Sequence, residues 1–117
     1  MTAGMRKAAA AVVLAVALAA CSTGSPTHAT ARMQGIRFTP GTIVVRAGGT
    51  VTWKNFDDVA HTVTAGTPAA PTGLFDSGNK VNGETFTVAF PTAGTYGYFC
   101  SNHAGMHGVV KVTSSGS

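Results

Sequence analysis

Short runs in which apolar and polar residues alternate make up most of the chain after residue 33. Residues 50–55 form the clearest run, with Val51 and Trp53 on one face of a strand and polar side chains on the other. Residues 84–90 alternate in the same way. Turns rich in Gly and Pro separate the runs, and no stretch shows a convincing helical period. The pattern therefore predicts an all-β domain.

Seven or eight short strands are predicted. Residues 66–83 are interpreted as mostly loop, with a short strand at 74–76. An open sheet of such strands would leave one apolar face in water, whereas two packed sheets bury it. We therefore expect a β-sandwich. Its predicted core consists of Ile36, Phe38, Val45, Val51, Trp53, Val63, Phe86, Val88, Phe90, Val110 and Val112.

Composition and charge exclude several classes of protein. Apolar residues make up 44% of the chain and charged residues only 10%, which is incompatible with intrinsic disorder or a coiled coil. The net charge is +4, but Arg6 and Lys7 belong to a leading segment, and without residues 1–20 the remainder carries only six positive and four negative side chains. These charges are scattered and form no basic stripe, so we expect no binding to nucleic acid.

The beginning of the chain has the pattern of a secretory signal. Residues 1–7 are positively charged, and residues 8–20 contain only Ala, Val and Leu, a run too short for the roughly 20 residues of a membrane-spanning helix. The ending Leu18-Ala19-Ala20-Cys21 resembles a bacterial lipobox. This resemblance implies that Cys21 becomes the lipidated N-terminus of the mature protein, held at the membrane by its acyl chains.

The alternative is a plain secretory signal that is cut near Ala20, with Cys21 left free or bridged to Cys100. Residues 22–30 are rich in Ser, Thr, Gly and Pro, so the stretch is interpreted as a flexible tether in which His28 is solvated. The predicted organisation is then a signal peptide, a lipidated N-terminus with its tether, a folded domain and a short tail. Their respective boundaries are 1–20, 21–32, 33–114 and 115–117.

Candidate metal ligands lie close together near the C-terminus. Cys100, His103 and Met106 recur at intervals of three residues, and His61 stands 39 residues before Cys100 at the start of another predicted strand. A sandwich can bring the end of that strand beside the loop. A thiolate, two imidazoles and a weak thioether suit copper, whereas a thioether is a poor ligand for zinc. Trigonal His₂Cys sites with a long axial Met are typical of blue copper centres that transfer electrons.

These residues stand in a sequence that resembles the cupredoxins of the plastocyanin, pseudoazurin and amicyanin group. The resemblance runs from about Ile36 to Val112 and is carried by the segments 49–55, 57–63 and 94–100. It implies a Greek-key β-sandwich around one copper ion. The two residues between His103 and Met106 match the spacing of the amicyanin loop.

The resemblance also implies a role for each site residue. His61, Cys100 and His103 would be the equatorial ligands and Met106 the axial ligand, while Asn55 would brace the loop that carries the neighbouring ligands. Asn55 has an equally simple interpretation as a strand-end residue that satisfies turn backbone. Tyr96 is interpreted either as a corner tyrosine of a sandwich or as an inward-facing strand residue.

Three positions near the ligands raise further questions. Asn102 and Ala104 flank His103 where the family commonly has proline, which predicts a less rigid loop. His107 follows Met106 directly and could compete for the axial position. Met106 is favoured, because adjacent residues on an extended chain face opposite ways.

The leading functional hypothesis is a monomeric electron carrier that exchanges electrons with redox protein partners. We expect it to be exported and anchored through lipidated Cys21, either at the outer face of the cell membrane or in the periplasm. The alternative is an extracytoplasmic copper-handling protein without a redox partner. An enzyme is not expected, because the one set of four ligands leaves no second metal cluster. Electrons are predicted to cross at His103, with Ala104, Gly105 and residues 69–74 forming an apolar surface around it.

Overall fold

A computed structural model describes residues 24–115, so the predictions for the signal segment, Cys21 and the last two residues lie outside the described residues. The described part folds entirely from strands and turns. The strands are β1 His28–Met33, β2 Phe38–Thr39, β3 Thr42–Arg46, β4 Gly49–Asn55, β5 Thr64–Thr67, β6 Ala70–Asp76, β7 Thr85–Phe90, β8 Gly94–Phe99 and β9 His107–Thr113. No helix in residues 24–115 is long and apolar enough to cross a membrane.

The strands form two sheets that pack face to face. One sheet has the order β2-β1-β4-β7 and the other the order β3-β9-β8-β5-β6. Pairing is antiparallel except for β1 with β4 and β3 with β9, which run parallel. The all-β sandwich is confirmed, although the described residues hold nine strands where seven or eight were predicted.

One additional strand lies in the segment interpreted as a flexible tether. β1 begins at His28 and pairs with β4 from His28 opposite Thr50 to Met33 opposite Asn55. The interpretation of residues 28–32 as tether, with a domain that starts at 33, is therefore wrong. The inward positions of β1 include Ala31, whose small side chain gives a weak apolar signal although it is buried. The His28 ring contacts the Thr50 hydroxyl at 2.7 Å.

The segment interpreted as mostly loop also contains regular structure. β5 and β6 form an antiparallel hairpin with an irregularity between Thr64 and Gly66, so residues 66–76 are largely strand. A side chain on Gly66, whose φ is +104°, would place its Cβ 2.6 Å from the Ala70 carbonyl oxygen. β6 is an edge strand whose residues are exposed apart from Phe75, so its sequence lacks the alternation of a half-buried strand.

The predicted core is largely right, with informative exceptions. Ile36 is 50% exposed and has a left-handed φ of 55°, so it does not share a buried face with Phe38. Met33 is fully buried, and Phe86 and Val88 pack against the core while remaining partly exposed. The core also includes residues that the pattern did not single out, namely Ala31, Met33, Ile43, Ala65, Phe75 and Tyr98.

Trp53 lies at the centre of an aromatic cluster between the sheets. Its ring centroid lies 5.2 Å from that of Tyr98, 6.2 Å from Phe75 and 6.3 Å from Phe86. Tyr96 is half-buried, and its hydroxyl donates a hydrogen bond of 2.6 Å to the Thr92 carbonyl. A tyrosine that bonds to backbone a few residues upstream is the pattern of a corner tyrosine.

Candidate metal centre

Strand alternation brings Cys100 and Met106 to the same end of the core. Side chains two residues apart share a face of a strand. Cys100 therefore continues the inward face of β8 beyond Tyr98, and Met106 precedes Gly108 and Val110 on the inward face of β9. Both Cys100 and Met106 are buried.

A short loop joins the two strands above the core. The Cys100 N–H donates to the Met106 carbonyl at 2.9 Å, and the Met106 N–H donates to the His103 carbonyl at 3.2 Å. Gly105 takes a φ of +83° inside this loop, a conformation that suits glycine. The backbone thereby closes a compact turn with His103 near its middle.

The loop is also held from outside, through the side chain of Asn102. The Asn102 amide donates to the Ala60 carbonyl at 3.0 Å and to the Asn79 side-chain oxygen at 2.8 Å. The first of these bonds connects the residue beside His103 to the residue beside His61. Side-chain hydrogen bonds therefore restrain the loop that was predicted to be less rigid.

His61 lies on a separate, buried segment that precedes β5. It forms an isolated antiparallel bridge with Lys80, with N–H to carbonyl distances of 3.1 and 2.8 Å in the two directions. Its side chain is fully buried. The predicted strand at 61–64 is thus only partly right, because β5 itself begins at Thr64.

The structure brings His61, Cys100 and His103 into one cluster. Cys100 Sγ lies 3.8 Å from His61 Nδ1 and 3.6 Å from His103 Nδ1, and all three ligand atoms lie within 4.8 Å of one another. Such separations let three donors reach one ion at bond lengths of about 2 Å. A thiolate with two imidazoles suits a metal of borderline softness, so the donor set fits copper.

The Cys100 sulfur is also supported by backbone. The Thr62 N–H points at Cys100 Sγ at 3.4 Å. The Thr62 hydroxyl accepts a 2.8 Å hydrogen bond from the Ser101 N–H and contacts the Thr64 hydroxyl at 2.9 Å. Thr62 therefore connects the His61 segment to the Cys100 loop, and its N–H is placed to stabilise negative charge on sulfur.

Asn55 supports the site in a different way from the one that the resemblance implied. Asn55 is the last residue of β4 and is fully buried. Its amide donates to the Val59 carbonyl at 2.9 Å and to the Lys80 carbonyl at 2.8 Å. Its side-chain oxygen accepts from the Asp57 N–H at 2.7 Å. These bonds brace the segments around His61, and the strand-end interpretation describes them better than a brace on the 100–106 loop.

Asp57 is a further residue at the site that was not among the predicted site residues. Its Oδ2 lies 2.7 Å from His61 Nε2, on the side of the ring opposite to Cys100. The backbone N–H of Ile36 lowers the pKa of Asp57 to about 2, with smaller contributions from His61 and the Gly35 N–H, while burial opposes the shift. The spacing of four residues between Asp57 and the candidate ligand His61 is visible in the sequence.

Met106 and His107 occupy different environments. Met106 is 4% exposed and lies among the core residues beside Cys100. His107 is exposed as the first residue of β9, where it pairs with Phe99. The opposite orientations follow from the alternation of side chains on an extended chain.

His103 lies at the edge of an open surface depression. Its ring is half-buried, and its centroid lies 4.8 Å from that of His61. The depression is lined by residues 97–108 and by Gly66, Thr67 and Pro68. The tip of the β5–β6 hairpin therefore borders this surface, whereas Leu74 faces a different hollow with Phe90 and Pro91, so its predicted place beside His103 is wrong.

The chain matches one family model over residues 24–113, that of the copper binding proteins of the plastocyanin/azurin family. The protein belongs to this family. Its cofactor is copper, and the His61, Cys100 and His103 cluster fits a single ion. Copper proteins of the plastocyanin type typically function in electron transfer.

Two plastocyanins are among its curated relatives. The chloroplast plastocyanin of Tetradesmus obliquus is 38% identical over 81 residues, which cover 64% of this chain and 56% of that protein. The plastocyanin of Scenedesmus fuscus is 36% identical over 83 residues, covering 64% of this chain and 85% of that protein. The chain thus spans little more than half the length of the first relative.

Solved structures place the fold in the same group. A purple cupredoxin from Nitrosopumilus maritimus is 28% identical with a TM-score of 0.67, over 73% of this chain and 99% of that one. The oxidised state of a proline-to-alanine mutant of amicyanin is 25% identical with a TM-score of 0.64, over 74% and 82%. A copper-containing nitrite reductase from Thermus scotoductus is 25% identical with a TM-score of 0.63, but only 24% of that chain is covered.

Proposed function

We propose that this protein is an electron carrier that exchanges single electrons at one copper ion held by His61, Cys100 and His103, with Met106 as the axial ligand. The observation that carries the proposal is the convergence of a thiol and two imidazole nitrogens within 4.8 Å, beside a buried thioether side chain. This donor set is the blue-copper set. Copper, when bound, supplies reversible exchange between its cuprous and cupric states.

Contacts with the surrounding chain support two of the proposed donors, His61 and Cys100. His61 is buried and bonded through its backbone to Lys80, and the Thr62 N–H supports the Cys100 sulfur. Because these two donors are supported by the surrounding backbone, little rearrangement of them should accompany a change of charge at the site. A carrier needs this property, since each rearrangement adds to the barrier for electron exchange.

We propose no enzymatic activity. The proposed site uses its four ligands for one copper ion, and the likeness to the nitrite reductase covers only 24% of that enzyme. A protein that only stores or delivers copper would differ in two measurable ways. It would exchange its metal readily, and it would not pass electrons to a redox protein.

The optical and EPR spectra of the Cu(II)-loaded protein test the ligand set. Coordination by the Cys100 thiolate should give intense visible absorption and a narrow copper hyperfine splitting, and Cys100→Ser should remove both. Ser101→Ala is the matched control, because Ser101 is exposed and should leave both signals in place. A colourless copper complex of the unmutated protein would contradict the proposal.

Electrons are proposed to enter and leave through the His103 edge. Ala104 and Gly105 are exposed beside it, and the surface there continues to Pro68. Transient redox contacts are small, so one charge in the contact should matter. Ala104→Asp should slow electron transfer to a redox protein without changing the spectrum. Ala93→Asp is the control, because Ala93 is exposed in the turn before β8, at the opposite end of that strand from Cys100.

The cellular location is proposed to be outside the cytoplasm, with the protein anchored through lipidated Cys21. The support is the charged start, the apolar run and the lipobox-like ending at Cys21. Mass spectrometry of the mature N-terminus from membranes tests it. A diacylated Cys21 is expected, and an unmodified cysteine or a terminus elsewhere would exclude the anchor.

A further inference from the structure

The two nitrogens of the His61 ring face two different partners. Nδ1 is directed at Cys100 Sγ, 3.8 Å away, and Nε2 contacts Asp57 Oδ2 at 2.7 Å. A carboxylate at Nε2 requires the ring to carry its proton there, which leaves Nδ1 free to bind a metal. Asp57 therefore selects the form of His61 that can act as a ligand.

Asp57 is itself held from several directions. Its carboxylate accepts hydrogen bonds from the Gly35 N–H at 2.8 Å and the Ile36 N–H at 2.9 Å. Its own N–H donates to Asn55, and its carbonyl accepts from the Asn82 amide at 3.1 Å. Only 16% of its side chain is exposed.

The backbone that holds Asp57 adopts an unusual conformation. Gly35 has a φ of +69° and Ile36 a φ of +55°, and the left-handed region is rare for a branched residue such as Ile36. Consecutive left-handed residues turn both N–H groups toward the same carboxylate. Conformations of this kind persist where the surroundings determine them and cluster at functional sites.

We infer that Asp57 is a positioning residue that orients His61 and tunes the reduction potential of the copper site through the hydrogen bond to Nε2. A carboxylate that accepts the distal N–H of a ligand histidine fixes the ring and makes it a more basic ligand. A more basic imidazole stabilises the cupric state over the cuprous state, so Asp57 should lower the potential. The inference rests on the proposed role of His61 as a ligand.

The competing explanation is that Asp57 only anchors the turn at residues 34–36. Asp57→Asn separates the two explanations, because asparagine keeps the shape and can still accept a backbone hydrogen bond while the negative charge beside His61 is lost. Asp58→Asn is the matched control, since Asp58 is the neighbouring residue and its substitution removes the same formal charge.

The measurement is the reduction potential of the copper-loaded variants by voltammetry, with the visible spectrum recorded alongside. We expect Asp57→Asn to reduce the preference for Cu(II) over Cu(I) by about tenfold, equivalent to about 59 mV upward for one electron. Asp58→Asn should shift the potential much less. Equal reduction potentials for the two variants would overturn the inference. If the unmutated copper-loaded protein showed no blue spectrum, the proposed ligand set itself would be refuted.

A second measurement needs no variant and applies even if Asp57→Asn does not fold. In the ¹⁵N-labelled Cu(I) protein, the Nε2 proton of His61 should be observed by NMR and exchange slowly with water, because it is bonded to Asp57 and the ring is buried. The more accessible His103 ring serves as the internal comparison. An Nε2 of His61 that carries no proton, or one that exchanges as fast as that of His103, would overturn the inference.

Discussion

The two histidines of the copper site are held by different kinds of structure. His61 is fully buried and contacts Asp57, while the surrounding segment is braced by Asn55 and paired with Lys80. His103 belongs to the loop between β8 and β9, and its ring is half-buried next to exposed small residues. The two rings are nevertheless neighbours, with centroids 4.8 Å apart.

This difference matches two requirements of the proposed electron carrier. On one side of the site, buried hydrogen bonds hold the proposed ligand His61 in place, and breaking such bonds costs considerable free energy. The other side brings a ligand close to the surface, where a partner protein can approach. Asn102 connects the two sides, because its amide reaches the Ala60 carbonyl next to His61.

The largest effect on stability is expected from Asn55→Ala. The substitution removes a fully buried side chain that bonds to the Val59 and Lys80 carbonyls and to the Asp57 N–H, although the Lys80 carbonyl keeps its bond from the His61 N–H. The free energy of unfolding should fall by about 2–4 kcal/mol, measured by denaturant unfolding of the copper-free protein.

Asn102→Ala is the matched control for this prediction. Its amide also has two acceptors, but the side chain is exposed and water can replace it. We expect a loss of about 1 kcal/mol or less. Similar losses of unfolding free energy for the two variants would contradict the distinction between a buried, hydrogen-bonded side of the site and an exposed side.

A smaller, pH-dependent effect is expected from Tyr98, whose ring lies below the loop against Gly108. Burial raises the pKa of Tyr98 to about 12 from 10.0. The folded state therefore keeps this proton where the unfolded chain loses it. Stability should be unaffected below pH 10 and should fall as the pH rises toward 12, by at most about 2–3 kcal/mol.

Tyr98→Phe should remove this alkaline loss, as followed by denaturant unfolding between pH 9 and pH 12 together with tyrosinate absorption. The variant should be nearly as stable as the unmutated protein at neutral pH, because the buried Tyr98 hydroxyl makes no hydrogen bond of good geometry among the described residues and has only a weak interaction with the Trp53 side chain. Tyr96→Phe is the comparison, since it removes a hydroxyl that bonds to Thr92 and leaves Tyr98 in place. An unchanged alkaline loss in Tyr98→Phe would contradict the assignment.

The smallest effect is expected at the axial position. Met106→Leu removes a weak thioether and leaves the three proposed equatorial donors, so the site should stay blue and its reduction potential should rise. His107→Ala should leave both the spectrum and the potential close to those of the unmutated protein, because His107 is exposed on the outward face of β9. Voltammetry of the two variants decides, and a larger shift for His107→Ala would reverse the assignment.

The sequence alone predicted the features that depend on local pattern. Alternation in β4 predicted that Val51 and Trp53 are buried, and the spacing of Cys100, His103 and Met106 identified the candidate loop. The same alternation predicted that Met106 and His107 face opposite ways, and the structure gives them buried and exposed positions respectively. These features need only the period of a strand and the chemistry of the side chains.

Local pattern failed where pairing partners determine the conformation. β1 contains weakly apolar residues, and its strand becomes evident only through its parallel pairing with β4. β6 lies at the edge of its sheet with most side chains in water, so it has no buried face to produce alternation. Ile36 has the pattern of a core residue, but the turn that presents two N–H groups to Asp57 places it at the surface.

The sequence by itself determined an all-β copper protein and the identities of the candidate ligands, because these follow from side-chain period and donor chemistry. Only the tertiary structure decided which groups support those ligands. Asp57 reaches His61 through a carboxylate held by the backbone of residues 35 and 36, and Asn55 braces that side by bonding to residues far along the chain. The bonds that hold Asp57 and Asn55 in place come from segments that are distant in sequence, so no local pattern could reveal them.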